Sequence, residues 1–261
     1  MTRPAVLGDL PPRALADLYF AIDEGRFEDA ASCFAEDAVY AVPPRGGAEI
    51  DPRSVAVGRA ALPAFLAGRG PRSYRHRILI CATEGPSCLA EGVLDLESGS
   101  VLRTFALSLQ LDGEGLISRY VAFSCEPVTD PGPVTGMASP GDAFKVVGRY
   151  FEALEQGRFE AAVDCFSPNV TYCHPPYVHG GLKSSGRVWY RGREELLAAF
   201  RRRGKTEHLH EMPVLIQRGP KCLFEVMVPG AGGGVSSLSL DGDGRIERYV
   251  AFYCEPAIPR R

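Results

Sequence analysis

The sequence predicts an α+β fold made of two tandem domains, each with three helices packed on a curved antiparallel sheet. The first observation is an internal repeat: GRFE at 25–28 returns at 157–160, and RYVAF at 119–123 returns at 248–252. A repeat of about 130 residues is far longer than a solenoid unit, so each copy is expected to be a whole domain. The second observation is the order of patterns inside each copy, in which helical periodicity comes first and strand-like runs follow.

A segment rich in proline and glycine separates the two copies. Such a composition suits an exposed connection better than the interior of a helix or strand. We therefore predict a first domain at 1–128, a linker at 129–141 and a second domain at 142–261.

The helices of the second copy come first along the chain. Apolar residues recur at helical spacing over 144–154, and Gly157 is placed to end that helix in the left-handed conformation. A short second helix is predicted over 161–166 and a third over 193–203, with the β-branched and aromatic strand 170–173 between them.

Four strands are predicted after the third helix, at 207–217, 221–228, 235–240 and 246–254. The run DGDG at 241–244 is typical of a tight hairpin turn between the last two. A meander of this kind is expected to curl around the long helix and form a cone, with a pocket at its open end.

Composition argues against several classes of protein. A formal net charge of −3 gives no basic excess, so a nucleic-acid partner is not expected. No apolar stretch is long enough for a membrane span or a secretory signal. Six of the eight cysteines recur between the copies and none forms a CxxC pair, which favours reduced core thiols in a cytoplasmic protein.

Two phrases of the second copy resemble a known group. RYFEALEQG at 149–157 and FSPNV at 166–170 are similar to the opening of the nuclear transport factor 2-like (NTF2-like) superfamily. The superfamily includes ketosteroid isomerases, SnoaL-like polyketide cyclases and limonene-epoxide-hydrolase relatives, as well as binding modules and transport adaptors. The resemblance implies a cystatin-like α+β cone, and fold alone does not name a reaction.

The resemblance also implies roles for three residues. Tyr150 matches the tyrosine that donates to the substrate oxyanion in the isomerases. His174, followed by Pro175, stands where those enzymes carry an aspartate base, and Ser236 stands at the place of their second oxyanion donor. Because the base is exchanged and the second donor changed, steroid isomerisation itself is not expected.

The two copies differ at these positions, which directs attention to the second. The first copy has Val42 in place of His174 and Leu107 in place of Ser236, and Tyr150 matches either Leu18 or Tyr19. Four of the five histidines lie in the second copy. We therefore predict that the second copy is active and the first is degenerate.

Further candidates surround His174 in the second copy. Tyr177 and His179 lie in the adjoining loop, and His208 and His210 alternate along a predicted strand, so that both would face His174. The predicted catalytic set is His174, Tyr150, Tyr177 and His179, and the predicted substrate-binding set is His208, His210, Ser236 and Trp189.

Two groups of charged residues receive a structural interpretation. Glu225 and Glu91 are matched between the copies and are expected to form salt bridges to Arg248 and Arg119. Arg193 and its counterpart Arg59 each follow a glycine, and both are expected to stabilise the start of a helix.

The sequence thus favours a cofactor-free SnoaL-like enzyme of bacterial specialised metabolism. It would use acid–base chemistry for isomerisation, cyclisation, dehydration or epoxide opening of a small carbonyl-containing metabolite. Two alternatives stay open: a non-catalytic small-molecule binding or interaction module, and a metalloenzyme ligated by His174, His179 and His208. The expected partner is a small molecule, with an internal pseudo-dimer and a further homodimer as the possible assemblies.

Overall fold

The computed structural model describes residues 7–42, 54–70, 73–128, 142–175, 187–205, 208–229 and 232–254. The predicted linker at 129–141, and with it the predicted domain boundaries, lies outside these ranges. Among the described helices, none is long and apolar enough to cross a membrane.

Within the described residues, each half of the chain holds three α-helices and one sheet. The first half contains α1 (Arg13–Asp23), α2 (Phe27–Ser32), α3 (Leu62–Gly68), β1 (Leu7–Gly8), β2 (Phe34–Ala41), β3 (Val55–Val57), β4 (Tyr74–Glu84), β5 (Ser87–Leu96), β6 (Val101–Leu111) and β7 (Ile117–Cys125). The second contains α4 (Ala143–Glu155), α5 (Phe159–Asp164), α6 (Gly192–Arg203), β8 (Phe166–His174), β9 (Val188–Arg191), β10 (Glu211–Arg218), β11 (Lys221–Val228), β12 (Gly232–Leu240) and β13 (Ile246–Cys254). The predicted fold of two tandem α+β domains is confirmed.

The sheets have matching topologies, β1-β4-β5-β6-β7-β2-β3 in the first domain and β10-β11-β12-β13-β8-β9 in the second. The predicted antiparallel meander is present as β10 to β13. The sheet is nevertheless mixed, because β8 joins β13 in parallel and β2 joins β7 in the same way. Strand β9, which the sequence did not predict, extends the sheet beside β8.

Helix α4 shows why the chain folds as the pattern predicts. Val147, Phe151 and Leu154 are buried on one face, which is the amphipathic arrangement of a helix that covers a sheet. Asp142 caps the N-terminus by accepting from the Lys145 backbone N–H at 3.1 Å. Phe144, predicted to belong to the same face, is instead 59% exposed, although its neighbour Ala143 is buried.

The two sheets pack against each other through their outer faces. Apolar residues of both domains form one buried cluster there: Ala41, Ile80, Ala82, Leu89, Ala106, Val121, Phe123, Cys125, Cys173, Ile216, Leu223, Val235, Val250 and Phe252. The helices and the main core of each domain therefore lie on the opposite, inner face of each sheet.

Two buried ion pairs cross this interface. Arg119 Nη2 lies 2.6 Å from Glu225 Oε1, and Arg248 Nη2 lies 3.0 Å from Glu91 Oε1. Both carboxylates form a salt bridge to a predicted arginine, but the partners are exchanged: Glu225 pairs with Arg119 and Glu91 with Arg248, so each pair joins one domain to the other. Burial by itself would raise the pKa of Glu91, but the charge and hydrogen bonds of Arg248 hold that pKa below its usual range.

Candidate functional site in the second domain

Strand β8 brings its last residues to the inner face of the second domain. Tyr172 belongs to the core under the helices, whereas its neighbour Cys173 belongs to the cluster between the sheets. Because side chains alternate along a strand, His174 shares the inner face with Tyr172. The imidazole of His174 contacts the ring of Tyr172, with 5.6 Å between centroids.

His174 is buried in a defined protonation state. Its side chain is 5% exposed, and its Nδ1 is hydrogen-bonded to the backbone oxygen of Pro175. A carbonyl oxygen only accepts, so Nδ1 carries the hydrogen and Nε2 carries the lone pair. Burial lowers the pKa of His174 from 6.5 to about 4, against the opposing effect of the Pro175 hydrogen bond. The imidazole is therefore neutral at physiological pH.

Tyrosine hydroxyl groups line the same interior. The hydroxyls of Tyr150 and Tyr172 share a hydrogen bond of 2.9 Å, and the ring of Tyr172 stacks on Tyr249 at 4.8 Å. Ser236 Oγ lies 3.2 Å from the Tyr249 hydroxyl. Two hydrogen-bonded pairs, Tyr150–Tyr172 and Ser236–Tyr249, are therefore joined to each other and to His174 by contacts of the Tyr172 ring.

The first domain contains a comparable tyrosine arrangement. The hydroxyls of Tyr19 and Tyr120 share a hydrogen bond of 2.8 Å, and Tyr40 stacks on Tyr120 at 4.8 Å. Burial raises the pKa of both Tyr19 and Tyr120 above the ordinary value. Because Val42 replaces the histidine, the paired hydroxyls have no imidazole beside them at that position.

Ring contacts resolve the ambiguous match of Tyr150. Tyr19 stacks on His76 at 4.2 Å, and Phe151 stacks on His210 at 4.3 Å. Since Tyr19 and Phe151 therefore occupy equivalent places, Tyr150 corresponds to Leu18. Tyr150 and Tyr19 reach their hydroxyl partners from neighbouring helix positions.

The two domains also differ in where bulky side chains are placed. We call the end of the second domain at which β8 stops at His174 and β12 starts at Gly232 the mouth. There Gly234 faces Val226 across the strand pair, whereas the corresponding pair in the first domain is Phe105 and Gly92. The Phe105 ring lies so close to Gly92 that a Cβ built on this glycine would be 2.5 Å from its Cζ. At this position of the sheet the first domain therefore carries an aromatic ring, Phe105, and the second carries a glycine, Gly234.

Other predicted site residues lie elsewhere. β10 begins at Glu211, so His208 and His210 precede the strand and do not alternate on it as predicted; His208 is exposed. His210 donates its backbone N–H to Glu155 at 2.7 Å, which takes this residue out of the strand ladder. Trp189 packs on the cluster between the two sheets, on the face opposite to His174. A substrate-binding role for Trp189 in the interior is therefore wrong.

Tyr177 and His179 lie outside the described residues. Across the part of the chain that the structure does describe, no group of three or more histidine, cysteine, aspartate or glutamate side chains is placed to hold a metal ion. The metal set of His174, His179 and His208 includes an exposed residue at position 208.

Sequence reasoning missed Tyr172 and Tyr190 as neighbours of His174. Tyr172 recurs in the first copy as Tyr40, so a comparison of the copies does not single it out, although its spacing of two from His174 on a strand places both on one face. The ring of Tyr190 lies 5.7 Å from the imidazole of His174. The guanidinium carbon of Arg203 lies 5.4 Å from the ring centroid of Phe200, within the same aromatic cluster.

Arg193 has the structural role predicted for it. Its Nε donates to the backbone oxygen of Phe166 at 2.8 Å, which ties the start of α6 to the start of β8. Gly192, just before it, has a φ of +77°, a conformation that favours glycine.

Comparison with known proteins returns similar solved structures. The sequence matches no family model and no curated protein. An NTF2-like protein of unknown function from Burkholderia xenovorans LB400 is 16% identical, with a TM-score of 0.35 over 45% of this chain and 86% of that chain. A SnoaL-like protein of unknown function from Burkholderia thailandensis E264 is 17% identical, with a TM-score of 0.35 over 42% of this chain and 93% of that chain.

A third solved structure is SalBIII, described as an epoxide hydrolase/cyclase-like enzyme in pyran ring formation in the polyether salinomycin. It is 20% identical, with a TM-score of 0.33 over 42% of this chain and 88% of that chain. Each of the three therefore covers a little under half of this chain. The solved structures to which this chain is similar are NTF2-like and SnoaL-like proteins, the group that its sequence resembles.

Proposed function

We propose that the second domain is a cofactor-free enzyme that performs acid–base chemistry on a small carbonyl-containing metabolite. Isomerisation, cyclisation, dehydration and epoxide opening belong to this class. The observation that carries the proposal is the buried, neutral His174 beside the paired hydroxyls of Tyr150 and Tyr172. The first domain has a hydroxyl pair of its own, Tyr19 and Tyr120, but has Val42 in place of the histidine.

The fixed tautomer assigns the direction of proton transfer. With Nδ1–H donating to Pro175, Nε2 takes a proton from the carbon next to the substrate carbonyl. The electron pair of that C–H bond moves to form an enolate, and the negative charge develops on the carbonyl oxygen. A tyrosine hydroxyl donates a hydrogen bond to this oxygen, and the protonated Nε2 then returns its proton to another carbon or to a leaving group.

The low basicity of His174 is compatible with this role. A pKa of about 4 is close to that of the aspartate base of ketosteroid isomerase, which works because its oxyanion is strongly stabilised. A neutral imidazole also gains a positive charge when it takes the proton, and this charge would stabilise the enolate. The proposed mechanism therefore relies on hydrogen-bond donors to the substrate carbonyl oxygen as much as on His174 as the base.

Deuterium exchange tests the proposal without knowledge of the natural substrate. Wild-type protein in D₂O is mixed with a panel of cyclic enones, β-diketones and β-keto esters, and loss of the α-proton signal is followed by NMR. His174→Val reproduces the residue of the first domain and is expected to slow exchange by about 100-fold or more, the usual contribution of a general base.

A matched pair of variants separates catalysis from architecture. Tyr172→Phe and Tyr40→Phe each remove one hydroxyl group at the same strand position: Tyr172 belongs to the hydroxyl pair of the second domain, and Tyr40 stacks on Tyr120 of the pair in the first. Only Tyr172→Phe is expected to slow exchange, by about tenfold or more. The proposal is wrong if His174→Val exchanges at the wild-type rate while folded, or if both tyrosine variants behave alike.

The second candidate function is small-molecule binding without turnover. It is favoured by the tyrosine pair in the first domain, which shows that these hydroxyls are compatible with a domain lacking the histidine. Saturable binding of panel members with no exchange above buffer would support it over the enzyme.

A further inference from the structure

Tyr190 is a second polar residue that the second domain has beside His174 and the first domain lacks. Strand β9 places Tyr190 opposite Tyr172, whereas the same pair of strands in the first domain places Ala56 opposite Tyr40. Residues two apart on a strand share a face, and residues directly opposite each other on neighbouring strands do so too. The imidazole of His174 and the phenol of Tyr190 therefore belong to one patch of the inner face.

The ring of Tyr190 contacts the imidazole. Its centroid lies 5.7 Å from that of His174 and 6.3 Å from that of Tyr172. The residue is half-buried and packs on the core under the helices. Across the residues that the structure describes, no hydrogen bond involves the Tyr190 hydroxyl. Because a phenol hydroxyl donates one hydrogen bond, this donor is available to a ligand.

Exposure indicates the side from which a substrate reaches the base. His174 is 5% exposed and Tyr172 is 2% exposed. Of the tyrosine rings that contact the imidazole within the described part of the chain, that of Tyr190 is the one partly open to solvent. A carbonyl compound that reaches Nε2 along this ring would meet a base and a hydroxyl donor together.

The hydroxyls of Tyr150 and Tyr172 are less suited to serve as this donor. They are hydrogen-bonded to each other at 2.9 Å, and the two residues are 1% and 2% exposed. The first domain keeps a buried pair of the same kind, Tyr19 and Tyr120, without a histidine at the equivalent of position 174. A buried pair present in both domains indicates packing, whereas a tyrosine that accompanies the histidine indicates chemistry.

We propose that the Tyr190 hydroxyl donates the hydrogen bond to the carbonyl oxygen of the substrate. This inference rests on the proposed function, because it assigns a residue to the oxyanion of the same reaction. When Nε2 of His174 takes the α-proton, the electron pair of the C–H bond forms the C=C bond of the enolate, and the π electrons of the carbonyl move to its oxygen. Tyr190 stabilises that negative charge by its hydrogen bond and keeps its own proton. Tyr172 positions both groups through its ring contacts with them.

Tyr190→Phe tests the assignment, because it removes the hydroxyl and keeps the ring beside His174. In the deuterium exchange assay the rate with a cyclic enone is expected to fall about 100-fold, the usual effect of removing one oxyanion donor. With a β-diketone the loss should be about tenfold or less, since its enolate spreads the charge over two oxygens and depends less on one donor. Tyr172→Phe, which leaves the donor in place, should slow exchange of the enone less than Tyr190→Phe does.

Tyr74→Phe is the matched control in the first domain. Tyr74 is also half-buried, and its ring lies 5.6 Å from an imidazole, that of His76. This variant is expected to exchange both substrates at the wild-type rate. A partial loss of folded protein in Tyr190→Phe does not block the test, because the ratio of the two substrate rates is measured on one sample and is independent of the folded fraction.

Three results overturn the assignment: exchange at the wild-type rate in Tyr190→Phe, an equal loss with both substrates, or a larger loss in Tyr172→Phe. Any of these, found together with slow exchange in His174→Val, would contradict the donor and keep the enzyme. Exchange no faster than in buffer with the wild type would contradict both the enzyme and the donor.

Discussion

Replacement of His174 by valine is expected to change how the stability of the second domain depends on pH. In the folded protein burial lowers the pKa of His174 from 6.5 to about 4. Between these values the unfolded chain binds a proton that the folded chain does not. The contribution of His174 to stability is therefore fully present above pH 6.5, falls as the pH decreases toward 4, and changes no further below that.

The size of the effect follows from the same two values. Each pH unit in this window corresponds to about 1.4 kcal/mol. At about pH 5, which is about 1.5 units below 6.5, the free energy of unfolding of the wild type should be about 2 kcal/mol lower than at neutral pH because of His174. Valine does not titrate, so the difference in free energy of unfolding between variant and wild type should shift by about 2 kcal/mol between neutral pH and about pH 5. The hydrogen bond to Pro175 lost in the variant contributes equally at both pH values.

Urea unfolding followed by tryptophan fluorescence measures this shift. The chain contains one tryptophan, Trp189, which pairs with Cys173 next to His174 and so reports on the second domain. Between about pH 7 and pH 8 the difference between the proteins should be constant, which serves as the internal control. A difference that stays the same down to about pH 5 would refute the burial of a neutral imidazole and remove the base from the proposed mechanism.

Three further outcomes follow from the interface and the first domain. Glu225→Gln is expected to lower the free energy of unfolding by about 3 kcal/mol in urea titration, because it leaves the Arg119 charge buried without a counter-ion, and Glu91→Gln should cost a similar amount. The double replacement of Glu225 and Arg119 by methionine should return the protein to within about 1 kcal/mol of the wild type; a loss larger than that of Glu225→Gln would contradict this account. Gly92→Ala should destabilise the first domain by about 2 kcal/mol in thermal unfolding, because the new methyl group would lie 2.5 Å from Phe105 Cζ and 2.6 Å from the backbone oxygen of Arg77. An unchanged Tm would refute the close packing described around this glycine.

The fold could be predicted wherever local patterns determine it. The predicted first and last residues are correct for the strands Lys221–Val228 and Ile246–Cys254. Apolar alternation and a tight turn define where these strands begin and end. The start of β10 was not, because its limit is set by the Glu155 side chain of another element, which binds the His210 backbone N–H. The side of the sheet on which Trp189 lies likewise depends on the pairing of β9 with β8, and no local pattern of four residues specifies that pairing.

The site was predictable where the two copies differ and harder to predict where they agree. His174 stood out because the first copy has Val42 at its place. Tyr172 did not, because Tyr40 repeats it, and a matched residue reads as architecture. In the structure Tyr172 both packs in the core and contacts His174, so a residue kept for packing in one domain can serve chemistry in the other.

The two domains also differ in the strand position that carries a large aromatic side chain. In the second domain Phe224 faces Ser236, deeper in the sheet than the glycine at position 234, and it contacts the rings of Phe151 and Tyr249. The first domain has Ala90 where the second has Phe224, and it carries its large ring nearer the mouth instead. Each interior thus holds one phenylalanine on this pair of strands, which keeps the core filled, as close packing requires. Because the large ring lies two residues further from the mouth in the second domain, position 234 there is a glycine while the core of each domain stays filled. Two copies of a duplicated fold can thus differ at one end of the sheet and keep the packing of both.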